Sequence, residues 1–272
     1  MASFQSFDGK SLNYQIHSQP KNIKNSIVVI HGFGGDIGLL DEFIHNLTNL
    51  ETTQIISYEL RGHINSSHHF SKKFSTFEKI HTLDLQSLLQ HLNVESPIMI
   101  GHSLGGIIIQ EYINKNLKPT PKQLFFICTT TQILGSNYFR KFLYKILCQF
   151  PETKKPFSKP QKPSSFYKKF KTSWDIDLFR FSHDTRVVGG FTKWFLYFFS
   201  LNGWKNKNLR SIDHKDNYYI YGKKDIIVPA LLQKYKIRKL ENINKIEINS
   251  GHIAPVTHPE QLATLIKKYL KT

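Results

Sequence analysis

The chain has 272 residues, 40% of them hydrophobic, 13% aromatic and 21% charged, a globular balance that excludes a disordered or fibrous polypeptide and can bury one large core. Thirty-seven Lys and Arg against 20 Asp and Glu give a formal charge of +17, which favours anionic partners: acidic lipid surfaces, nucleic acid or anionic substrates. No apolar run reaches the roughly 18 residues of a spanning helix, and the opening MASFQSFDGK lacks the basic and apolar regions of a signal peptide. Cys128 and Cys148 read as small core or helix-face residues rather than a disulfide framework, so a cytoplasmic location is expected.

Taken in chain order, residues 3–7 and 11–17 alternate in character around Asp8-Gly9, which predicts a hairpin. Ser26 to Ile30 is a short β-branched run of the kind buried on both faces of a parallel sheet, and it empties into the glycine-rich loop His31-Gly32-Phe33-Gly34-Gly35. Helical apolar spacing covers 39–50, a strand follows at Gln54 to Tyr58, and a helix is predicted from Thr76 to Leu92. Pro97 to Ile100 is a strand running straight into Gly101, with a helix over Leu104 to Asn116 and a strand at Gln123 to Cys128. From about 132 to 210 the rhythm breaks and Lys, Phe, Tyr and Pro crowd together. It resumes with a strand at Asn217 to Tyr221, a helix at Ala230 to Leu240, a strand at Lys245 to Ile248 and a helix at Pro259 to Leu270. Alternating β and α elements predict a mostly parallel sheet with helices on both faces, and the middle stretch is then an insertion between two strands.

Gly101-His102-Ser103-Leu104-Gly105 fits G-x-S-x-G, with an apolar strand before it and an amphipathic helix after it. The chemistry needs that context. A tight strand-to-helix turn tolerates only small residues two before and two after the serine, exposes the hydroxyl, and sets the Leu104 amide at a helix N-terminus that favours an anion. Gly106 leaves room for close helix–strand packing.

A serine hydroxyl also needs a base. Among 13 histidines, His252 directly follows the last predicted strand, at the sheet edge that carries Ser103. His258 precedes a Pro-started helix, His214 sits in a charged loop, and His102 is placed to line the site rather than to deprotonate its neighbour. Asp225, after the penultimate strand, is the candidate to orient the base, giving the order Ser, Asp, His; a plain turn-forming role is the alternative. Leu104 and Phe33 N–H are the candidate oxyanion donors, with His31, Gly32 and His102 expected around the substrate. Neither a nucleotide-binding glycine motif nor a clustered His/Cys pattern occurs, so no cofactor and no metal are expected.

In this order His31-Gly32, Arg61-Gly62-His63, Gly101-His102-Ser103-Leu104-Gly105-Gly106, Gly222 to Pro229 with Asp225, and Gly251-His252 resemble the α/β-hydrolase superfamily, in the branch with a lid after the sixth strand. The resemblance covers nearly the whole chain. It implies an α/β-hydrolase fold: a mostly parallel eight-stranded sheet flanked by helices, a core of residues 1–131 and 211–272, and a helical lid over 132–210. One departure is that the family usually continues Arg-Gly-His with Gly, whereas Ile64-Asn65-Ser66-Ser67 follows here.

The 132–210 stretch holds 16 Lys and Arg against four acids, a net +12 interleaved with aromatics. Such a lid either roofs an apolar pocket or also rests on an anionic membrane. The leading expectation is a serine esterase, lipase-like, acting on a small-molecule ester with a hydrophobic acyl group. A carbon–carbon bond hydrolase or thioesterase would use the same triad, and a non-catalytic ligand receptor is the alternative of another class. Specific nucleic-acid binding is not expected, because no recognition motif accompanies the charge.

Overall fold

Alternation within the strands sorts side chains onto two faces of one sheet. In the computed structural model, which describes residues 1–74, 76–150, 164–170, 172, 175–176, 180, 185 and 187–271, the strand Asn25–Ile30 (β3) is buried at every position. Its Val28 and Ile30 join one core cluster, and Ile27 and Val29 the other. The same split recurs in Thr53–Tyr58 (β4), Ile98–His102 (β5) and Gln123–Ile127 (β6): Ile56, Met99 and Phe126 face one way, Ile55, Ile100 and Phe125 the other. Apolar surface on both faces must be covered, and each buried Ile, Val or Phe contributes about 1.5–3 kcal/mol when it is.

Helices Asp41–Leu47 (α1) and Pro259–Tyr269 (α9) cover one face through Phe43, Ile44, Leu47, Leu262 and Ile266. Phe77–His91 (α2) and Leu104–Asn114 (α3) cover the other through Ile80, Leu85, Leu88, Ile108 and Tyr112. With Ala2–Gln5 (β1), Ser11–Ser18 (β2), Tyr218–Gly222 (β7) and Asn244–Ile248 (β8), the sheet has eight strands in the order β1-β2-β4-β3-β5-β6-β7-β8. β3 to β8 pair in parallel, and the β1–β2 hairpin adds antiparallel to β4. Parallel pairing sends the C-terminal ends of β3, β5, β7 and β8 to one edge, where the strand order reverses around β3, the place where open α/β sheets bind ligands.

The fold expected from the sequence is therefore the fold observed. Boundaries differ locally. The helix expected over 39–50 is a 3-10 turn at Gly38–Leu40 followed by α1, which stops because Thr48 is extended and Asn49 lies at φ +70°. Between β6 and β7 lie Asn137–Leu147 (α4), the short Ser164–Tyr167 (α5) and Phe191–Phe199 (α6). An antiparallel bridge from Gln132 to Lys205 ties the two ends of this insertion together. After β7 come Ala230–Ile237 (α7) and the short Ala254–Thr257 (α8). Cys128 and Cys148 are not joined in a disulfide. Among the described residues no helix is long and apolar enough to cross a membrane.

Candidate active site

β5 runs into α3 with Ser103 at the corner, at φ +50° and ψ −112°, a conformation that costs an L-residue about 1–3 kcal/mol. The surroundings hold it there. Ser103 N–H donates to Ile127 O at 2.9 Å, and its carbonyl accepts from Gly106 N–H at 3.0 Å and from the Thr129 hydroxyl at 2.6 Å. The approach is as close as the glycines suggested: a Cβ on Gly101 would sit 2.6 Å from Gly105 C and Gly106 N, and one on Gly105 would press into the Ile30 carbonyl.

The corner brings Ser103 to His252, which follows β8. The Ser103 hydroxyl lies 2.9 Å from His252 Nε2, and His252 Nδ1 lies 3.0 Å from Asp225 Oδ2 and 3.2 Å from Oδ1. Asp225 and His252 are buried, whereas Ser103 is partly open to solvent. The carboxylate is itself held: Val228 N–H donates to Oδ1 at 2.8 Å and Gln233 Nε2 to Oδ2 at 3.1 Å. Fully buried Gln233, on α7, also donates to Val228 O, so one amide fixes both the acid and its turn. The turn role weighed for Asp225 and its contact with His252 are thus both present in one side chain.

The loop after β3 lies directly against the serine, since a Cβ on Gly32 would sit 3.0 Å from Ser103 Cβ and 2.9 Å from His102 Nδ1. Leu104 opens α3, where the first amides are left out of the helical ladder. Around Phe33 the neighbouring amides are committed: Gly34 N–H donates to His63 Nε2 at 3.1 Å and Gly35 N–H to Gly32 O at 3.1 Å.

The side chains of His31 and His102, the histidines expected around the substrate, are buried and turned to backbone partners. His31 Nδ1–H donates to Gly32 O at 2.8 Å while Nε2 accepts from Leu60 N–H at 3.0 Å, which fixes the loop. His102 Nε2–H donates to His252 O at 2.9 Å, which fixes the loop after β8. Burial depresses both imidazoles, His31 to about 4 and His102 to about 3, so each is neutral near pH 7.

The Arg61-Gly62-His63 motif works from behind. Arg61, 0% exposed, pairs with Asp84 and Asp8 and donates to His69 O, and this ties the loop after β4 to α2 and the hairpin. His63 Nδ1–H donates to Arg61 O, leaving Nε2 to accept from Gly34. Ile64, where the family usually has glycine, takes a positive φ of +42°, held by its N–H to Val187 O. The altered loop thus meets the insertion and leaves the Ser103–His252–Asp225 contacts untouched.

Above the loop after β3, the Phe33 ring packs on Tyr197, Phe198 and Trp194 of α6 at centroid distances of 4.9, 5.8 and 5.9 Å. On the other side, Tyr167 of α5 clusters with Ile253 and Val256 beside His252. The insertion therefore touches both loops that frame Ser103. Among the described residues no group of His, Cys, Asp and Glu is arranged to hold a metal ion.

The profile of the alpha/beta hydrolase family matches residues 27–265. The chain belongs to that family. Over 96 residues, 35% of this chain and 31% of the relative, it is 31% identical to a Haemophilus influenzae protein assigned as an esterase/lipase. It is 30% identical over 91 residues to the (lyso)-N-acylphosphatidylethanolamine lipase of Bos taurus, covering 33% of this chain and 26% of that one. The matched segment thus spans about a third or less of these relatives. In fold, the chain is similar to the bromoperoxidase of Bacillus anthracis along 100% of both chains, with a TM-score of 0.72 at 17% identity.

Proposed function

We propose that this chain is a serine hydrolase that cleaves carboxylic esters with a hydrophobic acyl group through an acyl-enzyme. The observation that carries the proposal is the unbroken line from the Ser103 hydroxyl through His252 to Asp225, at 2.9 and 3.0 Å. His252 Nε2 takes the hydroxyl proton as Ser103 Oγ adds to the ester carbonyl, and Asp225 holds the Nδ1–H tautomer and stabilises the imidazolium. The oxyanion is received by the N–H groups of Phe33 and Leu104. On collapse, the carbon–oxygen bond to the alcohol breaks and the alcohol leaves with the proton from His252. Water, deprotonated by the same imidazole, then adds to the acyl carbonyl; collapse frees the acid and returns the proton to Ser103.

Residues 1–131 and 211–272 form the catalytic core in this reading, and 132–210 is a cap whose Trp194 and Phe198 supply part of an apolar wall. The preference for an apolar acyl group rests on that wall of Phe33, Trp194 and Phe198. The names of the two sequence relatives, one an esterase/lipase and one a lipase of an acylated phospholipid, point the same way.

Fluorophosphonate labelling of the wild type and Ser103→Ala, followed by nitrophenyl esters of increasing chain length, tests it. Labelling confined to the wild type and kcat/KM rising with chain length is the expected result. Equal labelling of both proteins, or none of the folded wild type, would overturn it.

A further inference from the structure

Among the described residues of the insertion, the helices α4 and α6 turn aromatic side chains to solvent. On α4, Tyr138, Phe139 and Phe142 are 87%, 46% and 58% exposed; on α6, Phe191, Phe195 and Phe198 are 60%, 39% and 36% exposed. The opposite sides of both helices, through Leu143, Tyr144, Leu147, Leu196 and Tyr197, are buried in the core. Exposed aromatics at i, i+4 and i+7 of α6 therefore form a second apolar stripe, not the packing stripe. The helices pack on each other, and the Gly203 amide bonds to Leu134 O so that the start of α4 lies beside the end of α6. One layer thus presents two aromatic stripes.

Two further observations say what covers it. Lys141 and Lys145 are exposed on α4 among these aromatics, and Asp175 is the one acid among the described residues of 132–210. The layer is also pinned: Tyr144 hydroxyl donates to Ser71 O, Arg140 pairs with buried Glu78, and Tyr197 bonds to buried His81. A rigid face that is both aromatic and basic matches an anionic bilayer, which accepts aromatic rings at headgroup depth and draws cations to its surface. A second copy of the chain fits poorly, because it would bring a net +12 insertion against another.

We propose that the α4–α6 face docks on anionic lipid bilayers with Tyr138, Phe142, Phe191 and Phe195 entering the headgroup region. Phe198 then spans the layer, exposed on one side and packed on Phe33 on the other, and marks a route for acyl chains from the membrane to Ser103. The route rests on the hydrolase reading above; the docking does not.

The test keeps the two apart by measuring binding on full-length Ser103→Ala protein and catalysis on a soluble ester with Ser103 intact. Co-sedimentation with phosphatidylcholine vesicles, with and without phosphatidylglycerol, is compared for this parent, for added Phe142→Ser plus Phe195→Ser, and for added Lys141→Glu plus Lys145→Glu. The parent is expected to bind the anionic vesicles, and each pair to lower partitioning about tenfold or more. Introduced with Ser103 intact, each pair should leave the thermal midpoint and soluble-ester kcat/KM near wild type. Vesicle binding that both pairs leave unchanged, no binding by the parent, or a dimer in sedimentation that the Phe pair dissolves would each overturn the proposal.

Discussion

Gln233 Nε2 donates at 3.1 Å to Asp225 Oδ2, the same oxygen that His252 Nδ1 approaches at 3.0 Å. The amide shares the carboxylate with the imidazole and stabilises its charge where water cannot reach. Gln233→Leu removes a bond to a buried carboxylate, so a stability loss of about 1.5–3 kcal/mol in urea unfolding is expected. Gln233→Glu is the more telling variant. Two carboxyl groups so close in a buried site share a proton rather than both ionise, which weakens the charge that supports the His252 imidazole at low pH, so the acidic limb of kcat/KM should move to higher pH. An acidic limb at its wild-type position would separate Gln233 from the catalytic line.

The Gly32 backbone sets how near the loop after β3, the oxyanion loop of the proposed mechanism, comes to Ser103. A Cβ there meets Ser103 Cβ and His102 Nδ1 at about 3 Å, and both belong to elements locked by buried bonds. The loop itself must yield, carrying the Phe33 amide with it. Gly32→Ala is expected to cut kcat by about 100- to 1000-fold, the usual cost of one lost oxyanion donor. KM for a soluble ester should change less than kcat, since Trp194 and Phe198 keep the rest of the acyl wall in place. A stopped assay across substrate concentration reads both.

Most of the frame was legible because strand burial and the elbow leave strong local marks. Val28 and Ile30 against Ile27 and Val29 is a period-two pattern that only a sheet covered on both faces explains. Ser103, His252 and Asp225 each stand at a strand end, and parallel topology turns that sequence position into a shared edge. Gln233 left no such mark. A glutamine in a short polar helix looks like surface, and its burial follows from how α7 leaves the Asp225 turn. The direction of His102 was hidden too, because the side chain just before a strained corner depends on the corner's own dihedrals. In the insertion, α4 showed its amphipathic spacing, but α6 was an aromatic run whose packed and exposed sides no periodicity separates without the core beneath it.

The strain at Ser103 predicts a trade between activity and stability. Glycine adopts φ +50° without the penalty that serine carries, whereas alanine keeps the Cβ that causes it. Ser103→Gly and Ser103→Ala should both lack fluorophosphonate labelling. Of the two, the glycine variant should be the more stable by about 1 kcal/mol, read as a shift in urea midpoint at constant m. The reverse order would mean that the elbow is relaxed in solution.

His102 should leave a signature in the pH dependence of stability. Its folded pKa is lowered from 6.5 to about 3, chiefly by burial, with the nearby His252 as the next cause. Below pH 6.5 the unfolded chain takes up a proton at this side chain that the folded chain refuses. The stabilisation is therefore complete above pH 6.5 and drains away as the pH falls toward 3, at up to about 1.4 kcal/mol per pH unit. Buried Glu59, whose pKa is raised, works in the opposite sense above its unfolded value, so the total curve mixes signs and a difference between variants is the cleaner reading. His102→Gln removes the titration and keeps an N–H able to reach His252 O. Urea unfolding from pH 7 to pH 4 should show the wild type losing stability relative to this variant as acid is added, with kcat/KM at pH 7 nearly unchanged. His102→Phe would remove the titration as well, but without a donor to His252 O it should also lose activity. Parallel stability curves for wild type and His102→Gln would mean that His102 protonates within the folded protein and does not hold the His252 loop as a neutral donor.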